Sequence, residues 1–143
     1  MRVFLDTNIV IYSVEGAPAF WQRASRNLAQ LETAGHEFVI SDLVRLECLI
    51  KPFDISDGDL LLDYCEFFAD PRISTVALTA AVHDRAAQIR ASHRYVGGRR
   101  YSLADALHLS TAIESGCGEF LTHDTRLNAF RQVRVRVLPQ GDC

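Results

Sequence analysis

Short apolar runs alternate along this chain with longer stretches of helical periodicity. Residues 2–5 (RVFL) read as a short buried strand that stops at Asp6-Thr7-Asn8, and residues 8–14 as a helix closed by Gly16. Pro18 can open a longer helix over 18–34, with Phe20, Ala24, Leu28 and Leu31 at helical spacing and Gly35 as its stop. Residues 37–40 (EFVI) form a second strand. Ser41 is placed to N-cap a helix running to Lys51 and ended by Pro52. Ser56 begins another helical pattern through Leu60, Leu61, Tyr64 and Phe68, before Asp70-Pro71. A third strand is predicted at 73–77 and a helix at 79–93, with Val82, Ala86 and Ile89 on one face. The glycine pair makes 95–100 a loop, after which Ser102 caps a helix to Ser115, terminated by Gly116. Residues 119–122 (EFLT) form a fourth strand, 125–130 a short helix, and 133–137 (VRVRV) a fifth strand with arginines on its outward face.

Strands separated by helices throughout imply βαβ units, hence a parallel sheet covered on both faces. No internal repeat, low-complexity tract or linker interrupts the pattern, so residues 1–143 read as a single α/β domain.

That architecture gives certain acids a common address. In an open α/β sheet, ligands bind at the carboxyl ends of the strands. Asp6 lies directly past strand one and Asp124 two residues past strand four, so both belong at the same rim. Glu47 shares a stripe with Leu43, Leu46 and Ile50, where an ionised glutamate is costly unless paired or bound to metal. The alternative is that the edge of the stripe lets it reach water or an arginine. Asp105 has a structural explanation, since Ser102-Leu103-Ala104-Asp105 fits a capping box and a first-turn acid suits the helix dipole. A carboxylate there also projects from a helix N-terminus near the rim.

Four acids at one rim repel. Two such charges about 5 Å apart interact by roughly 3 kcal/mol at an effective dielectric near 20. The cluster therefore implies bound cations or held protons, and an oxygen-only donor set selects Mg²⁺ or Mn²⁺ over zinc. On a phosphodiester, such ions support in-line attack by an activated water.

Composition narrows the setting. With 48% hydrophobic and 23% charged residues the chain is an ordinary folded protein. No apolar run approaches the roughly 20 residues of a membrane span. The carboxylate at position 6 interrupts any signal-peptide core, so the expected location is cytoplasmic. Cys48, Cys65, Cys117 and Cys143 show neither a zinc spacing nor a disulfide framework. The net charge of −3 does not announce a nucleic-acid binder, yet the basic charge is segregated. Arg85, Arg90, Arg94, Arg99 and Arg100 share a span without acids, and Arg131, Arg134 and Arg136 follow near the C-terminus. These are either phosphate contacts beside the acidic cluster or a solvated helix face and charged edge strand. Arg99 and Arg100, next to the glycines, are the candidate phosphate contacts.

Four segments carry a family resemblance: FLDTNIVIY (4–12), ISDLVRLE (40–47), SLADALHLSTA (102–112) and FLTHDTRL (120–127). In this order they resemble the PIN-domain nucleases, specifically the VapC-type toxins of toxin–antitoxin pairs. The resemblance implies a three-layer α/β/α domain with a five-stranded, mainly parallel sheet. It implies an Mg²⁺- or Mn²⁺-dependent endoribonuclease with Asp6 and Asp105 as leading ligands, completed by Glu47 and Asp124. Thr7 or Asn8 would orient Asp6 or a bound water, and Thr122 would sit near the last acid. Asn128 stands where some relatives have a further acid. The implied partners are an RNA substrate, a small antitoxin and a second copy of the chain, or a larger toxin–antitoxin assembly, with no membrane. His108, three residues beyond Asp105, either orients that acid, contacts substrate or packs in the core; His123 is expected to face away from Asp124. The aromatics Phe20-Trp21 and Phe67-Phe68 suit an interface or the core.

The remaining readings are an RNA-processing PIN nuclease that is not a toxin, a catalytically inactive PIN interaction module, and a haloacid-dehalogenase-like phosphatase. The last would need an aspartate at position 8, which is Asn8, and a late lysine, whereas the only lysine is Lys51.

Overall fold

A computed structural model describes residues 1–16, 21–94 and 97–139. Among these, five strands form one parallel sheet: β1 (Arg2–Leu5), β2 (Glu37–Ser41), β3 (Ile73–Val76), β4 (Glu119–Thr122) and β5 (Arg134–Val137). They are joined by helices α1 (Thr7–Glu15), α2 (Trp21–Thr33), α3 (Asp42–Asp54), α4 (Gly58–Ala69), α5 (Ala80–Ser92) and α6 (Leu103–Glu114), with a 3₁₀ turn at Thr125–Ala129. Pro18, Phe20, Tyr95, Val96 and Cys143 lie outside the described residues.

Successive residues on a strand point to opposite faces, so a strand buried at every position must be covered on both sides. Val3, Phe4 and Leu5 of β1 are all buried, as are Phe38 to Ser41 of β2 and Glu119 to Thr122 of β4. The result is a three-layer α/β/α sandwich whose core centres on these strands, with Phe4 and Phe120 stacked at 5.2 Å. The edge strands β3 and β5 are only partly buried. No helix among the described residues is long and apolar enough to cross a membrane.

The strand order is β3-β2-β1-β4-β5. From β1 the chain winds outward through β2 and β3, then returns to build β4 and β5 on the other side. The order reverses between β1 and β4, which opens a crevice at their carboxyl ends. Asp6 stands at its mouth, its backbone N–H donating to the Leu121 carbonyl at 2.9 Å.

Several local expectations are corrected. Pro52 does not end α3, which continues to Asp54: a proline removes one amide donor, and in the final turn Ile55 N–H still reaches the Lys51 carbonyl at 3.0 Å. The cap of α4 is Asp57, which accepts from Leu60 N–H, while Ser56 adopts a left-handed φ of 54° one residue earlier. The stripe Leu43-Leu46-Glu47-Ile50 is not the buried one. Leu46 and Ile50 are 56% and 59% exposed, and α3 buries Val44, Cys48 and Pro52 instead. Both lines fit a helical period; packing against α1, α4 and β2 selects the second, leaving Glu47 on the border. Phe68 is buried and Phe67 half-buried, so among the described residues the exposed large apolar side chains are Met1, Leu46, Ile50, Phe53, Ile55, Leu62 and Leu103.

β5 does not present both arginines to water. Arg136 donates to the buried Glu119 carboxylate at 2.8 Å, and Arg134 approaches the same oxygen at 3.5 Å. Arg85 is likewise paired, with Glu114 at 2.5 Å. Arg136→Met should therefore destabilise the fold by up to about 3 kcal/mol, the low end for breaking a buried pair because Arg134 remains. Adding Glu119→Leu should recover most of the loss in urea denaturation.

Candidate active site

The crevice between β1 and β4 holds an open pocket of about 250 Å³ lined by Asp6, Thr7, Asn8, Ile11, Glu47, Asp105, His108 and Asp124. All four carboxylates singled out from the sequence line it. They arrive from four different elements: the end of β1, α3, the first turn of α6 and the segment after β4.

Asp6 is the most constrained. It is 5% exposed and N-caps α1, with Oδ1 accepting from Thr7 N–H at 2.8 Å. Its Oδ2 accepts from the Thr122 hydroxyl at 2.7 Å and the Asn8 amide at 3.4 Å. Thr122 in turn accepts from Asp124 N–H at 3.0 Å, and Asn8 Oδ1 from His123 N–H at 3.0 Å. Two strand ends are thus knitted around one carboxylate. Burial raises the Asp6 pKa, with the Glu47 charge acting the same way; His108, Thr122 and the Thr7 amide offset this only in part.

Asp105 N–H donates to the Ser102 hydroxyl at 3.0 Å, the cap expected from the sequence. Its carboxyl nevertheless faces the pocket, so the structural and site placements coincide. Burial, then the charges of Asp6 and Asp124, raises its pKa against a hydrogen bond from Ser102. Asp124 behaves oppositely. It caps the 3₁₀ turn and pairs with Arg126 at 2.6 Å, and that hydrogen bonding lowers its pKa despite partial burial.

Glu47 is half-buried, and burial alone would raise its pKa. The hydrogen bond and charge of His108, together with the Thr7 hydroxyl, overcome burial and lower it. His108 Nε2 stands 2.5 Å from Glu47 Oε1, and Thr7 Oγ1 donates to the same oxygen at 2.8 Å. Thr7 therefore orients Glu47 with its hydroxyl and Asp6 with its amide. His108 contacts Glu47, not Asp105. Sequence reasoning missed this link because the two residues are far apart along the chain; the available signal was a histidine within the buried run of α6 from Ala106 to Ala112.

Other candidates fall outside the pocket. His123 bonds the Leu138 carbonyl through Nδ1 at 2.8 Å and packs edge-on to Tyr12. Asn128 is exposed on the 3₁₀ turn. Arg99 and Arg100 are exposed in the segment before α6 and do not line the pocket. Arg100 donates to the Arg90 and Ala91 carbonyls at 3.0 and 3.3 Å, closing the C-terminus of α5.

Whether this donor set suits a divalent ion is a matter of chemistry and of charge. Among the described residues, no three His, Cys, Asp or Glu side chains are gathered closely enough to hold an ion as they stand. Mg²⁺ does not require that, since it keeps several waters and uses one or two carboxylates. The four carboxylates of the lining, two of which have raised pKa values that His108 offsets only in part, fit such an ion.

A sequence comparison with curated proteins finds no match. Solved structures supply the fold. The chain is similar to DNA-bound VapBC from Salmonella typhimurium (TM-score 0.73, 18% identity, covering 96% of this chain and 98% of that one). It is similar to VapBC2 of Rickettsia felis bound to a promoter DNA fragment (TM-score 0.72, 18% identity, 96% and 98% covered). It also resembles VapC20 of Mycobacterium tuberculosis, described as a sarcin–ricin loop cleaving toxin (TM-score 0.64, 16% identity, 90% and 89% covered). The profile of the PIN domain family matches residues 3–134, nearly the full length, and this chain belongs to that family.

Proposed function

We propose that this protein is a divalent-metal-dependent endoribonuclease and the toxin of a toxin–antitoxin pair. The observation that carries the reading is the convergence of Asp6, Glu47, Asp105 and Asp124 on one open pocket at the switch point of the sheet. Similarity to VapC-containing complexes supports the toxin role, and the cleaving activity described for the Mycobacterium tuberculosis neighbour supports RNA as substrate.

Asp6 and Asp105 would hold the ion, Mg²⁺ or Mn²⁺, with Glu47 and Asp124 completing the acidic lining. When bound, the ion supplies Lewis-acid activation of the attacking water and neutralises charge on the phosphodiester. The chain's own work is preorganisation. Thr122, Asn8 and the Thr7 amide fix Asp6, while Thr7 and His108 fix Glu47, so little reordering is left for substrate binding. Arg99, in the exposed loop, is available for phosphate contact; Arg100 can share that role only with the guanidinium nitrogens not engaged on α5. Exposed Leu46, Ile50, Phe53, Ile55 and Leu62, all from α3 to α4, support protein partners, here an antitoxin and a second copy of the chain in the cytoplasm.

Three outcomes are expected. With Mn²⁺ or Mg²⁺ the purified protein cleaves RNA, EDTA abolishes cleavage, and Asp6→Asn or Asp105→Asn lowers the rate at least about 100-fold. An active Asp6→Asn variant would refute the assignment. Expressed alone in bacteria, the wild type arrests growth, and co-expression of a small neighbouring gene restores it. A nuclease without growth arrest would point to RNA processing in place of a toxin.

The pKa directions predict a particular pH response of the metal-free protein. Asp6 and Asp105 have folded pKa values above 3.8, so they bind protons more tightly folded than unfolded. Their contribution to stability therefore grows as pH falls from neutral toward 3.8. Glu47 and Asp124 are lowered, and their stabilisation is lost as pH falls further, through their folded values. Thermal melts should show a stability maximum on the acid side of neutrality, and Asp6→Asn should raise Tm at pH 7. A Tm for Asp6→Asn below wild type at pH 7 would contradict the assignment.

A further inference from the structure

We propose that His108 is the positioning residue for Glu47, holding that carboxylate in the orientation in which it serves the ion. The inference rests on the reading of Glu47 as part of a metal-binding pocket.

His108 lies on α6 and is 2% exposed, with its ring 6.0 Å from that of Phe4 in β1. Its Nε2 is 2.5 Å from Glu47 Oε1 and 3.3 Å from Thr7 Oγ1. Glu47 can only accept, so Nε2 carries the hydrogen and donates it. The other nitrogen, Nδ1, is buried with no hydrogen-bond partner among the described residues. Its buried neighbours on α6 are the apolar Ala106, Leu109 and Ala112, with Ser110 and Thr111, whose hydroxyls are already spent on the Val82 and Leu107 carbonyls. A leucine at 108 would satisfy that environment without leaving a polar atom unpaired, so packing alone gives a histidine no advantage. What the histidine adds is a single donor, and it is aimed at the pocket.

Two donors from two different elements saturate the same oxygen: Nε2 from α6 and Oγ1 from the start of α1. Oε2 receives no hydrogen bond among the described residues, which makes it the oxygen available to a cation. Glu47 sits on α3, whose buried line passes beside it, so the helix by itself leaves its side chain free to swing to solvent. The His108–Thr7 clamp removes that freedom. Groups that orient metal-binding carboxylates in this way typically alter metal affinity or activity about 10–100-fold when removed.

The test compares wild type, His108→Leu and His108→Gln, the last of which retains an N–H donor near the position of Nε2. Mn²⁺ binding is measured by calorimetry alongside the metal-free Tm. We expect His108→Leu to fold, with a lower Tm at pH 7 because Glu47 loses one of its two donors, while losing about 10–100-fold in Mn²⁺ affinity. His108→Gln should recover most of that loss. Wild-type affinity in His108→Leu, or failure of His108→Gln to recover any, overturns the proposal. A second readout needs no metal: ¹H–¹⁵N correlation of the imidazole should show Nε2 protonated and its proton strongly deshielded, and Glu47→Gln should remove that deshielding. If wild type binds no Mn²⁺, the metal reading of the pocket fails. The clamp is then judged by the imidazole spectrum alone, where an Nδ1-protonated ring or insensitivity to Glu47→Gln refutes it.

Discussion

The backbone hydrogen bond from Asp6 to Leu121 carries the β1–β4 pairing one residue beyond the end of β1, to the point where the sheet reverses its order. The site depends on that contact. It brings Thr122 within 2.7 Å of the Asp6 carboxylate and sets Asp124 two residues further along the same rim. β1 is buried from Val3 to Leu5 and β4 along its length, so neither can slide without exposing core side chains on one face or the other. The position of the carboxylates is therefore enforced by the hydrophobic core, and the pocket inherits its rigidity.

Within this rigid rim the four acids are electrostatically unequal. Asp124 has Arg126, and Glu47 has His108 and Thr7, so both are held as anions by neighbours in the chain. Asp6 and Asp105 are both raised by burial, Asp6 further by the Glu47 charge and Asp105 by the charges of Asp6 and Asp124, and His108 offsets this only in part. A pocket built this way stores repulsion at two positions and stabilises the negative charge at the other two. Under the proposed function, a divalent ion would relieve the first pair and would find the second already oriented. That division follows from the partner each acid meets, since all four have nearly the same intrinsic chemistry.

The arginines illustrate how pairing redistributes an apparent patch. Arg134 and Arg136 gather on buried Glu119, Arg85 on Glu114, and Arg94 and Arg100 turn onto carbonyls at the C-terminus of α5. Much of the segregated charge visible along the chain thus serves the fold. The exposed apolar residues from α3 to α4 run the other way: their periodic spacing suggests a core, and the fold leaves them outside.

The sequence by itself determined the elements and the sheet. Apolar runs of four or five residues bounded by capping residues and glycines can be satisfied only as buried parallel strands between helices, and strand ends then place Asp6 and Asp124 at one rim. Ser102 and Asp105 were legible for the same local reason, because a cap depends on residues three apart. Tertiary structure alone decided which line of α3 is buried, since two lines share the helical period and only packing against α1, α4 and β2 chooses between them. It also decided that His108 serves Glu47 and that Arg136 serves Glu119, pairs whose members sit on different elements. Periodicity records which side of an element faces inward; it carries no information about what that side will meet.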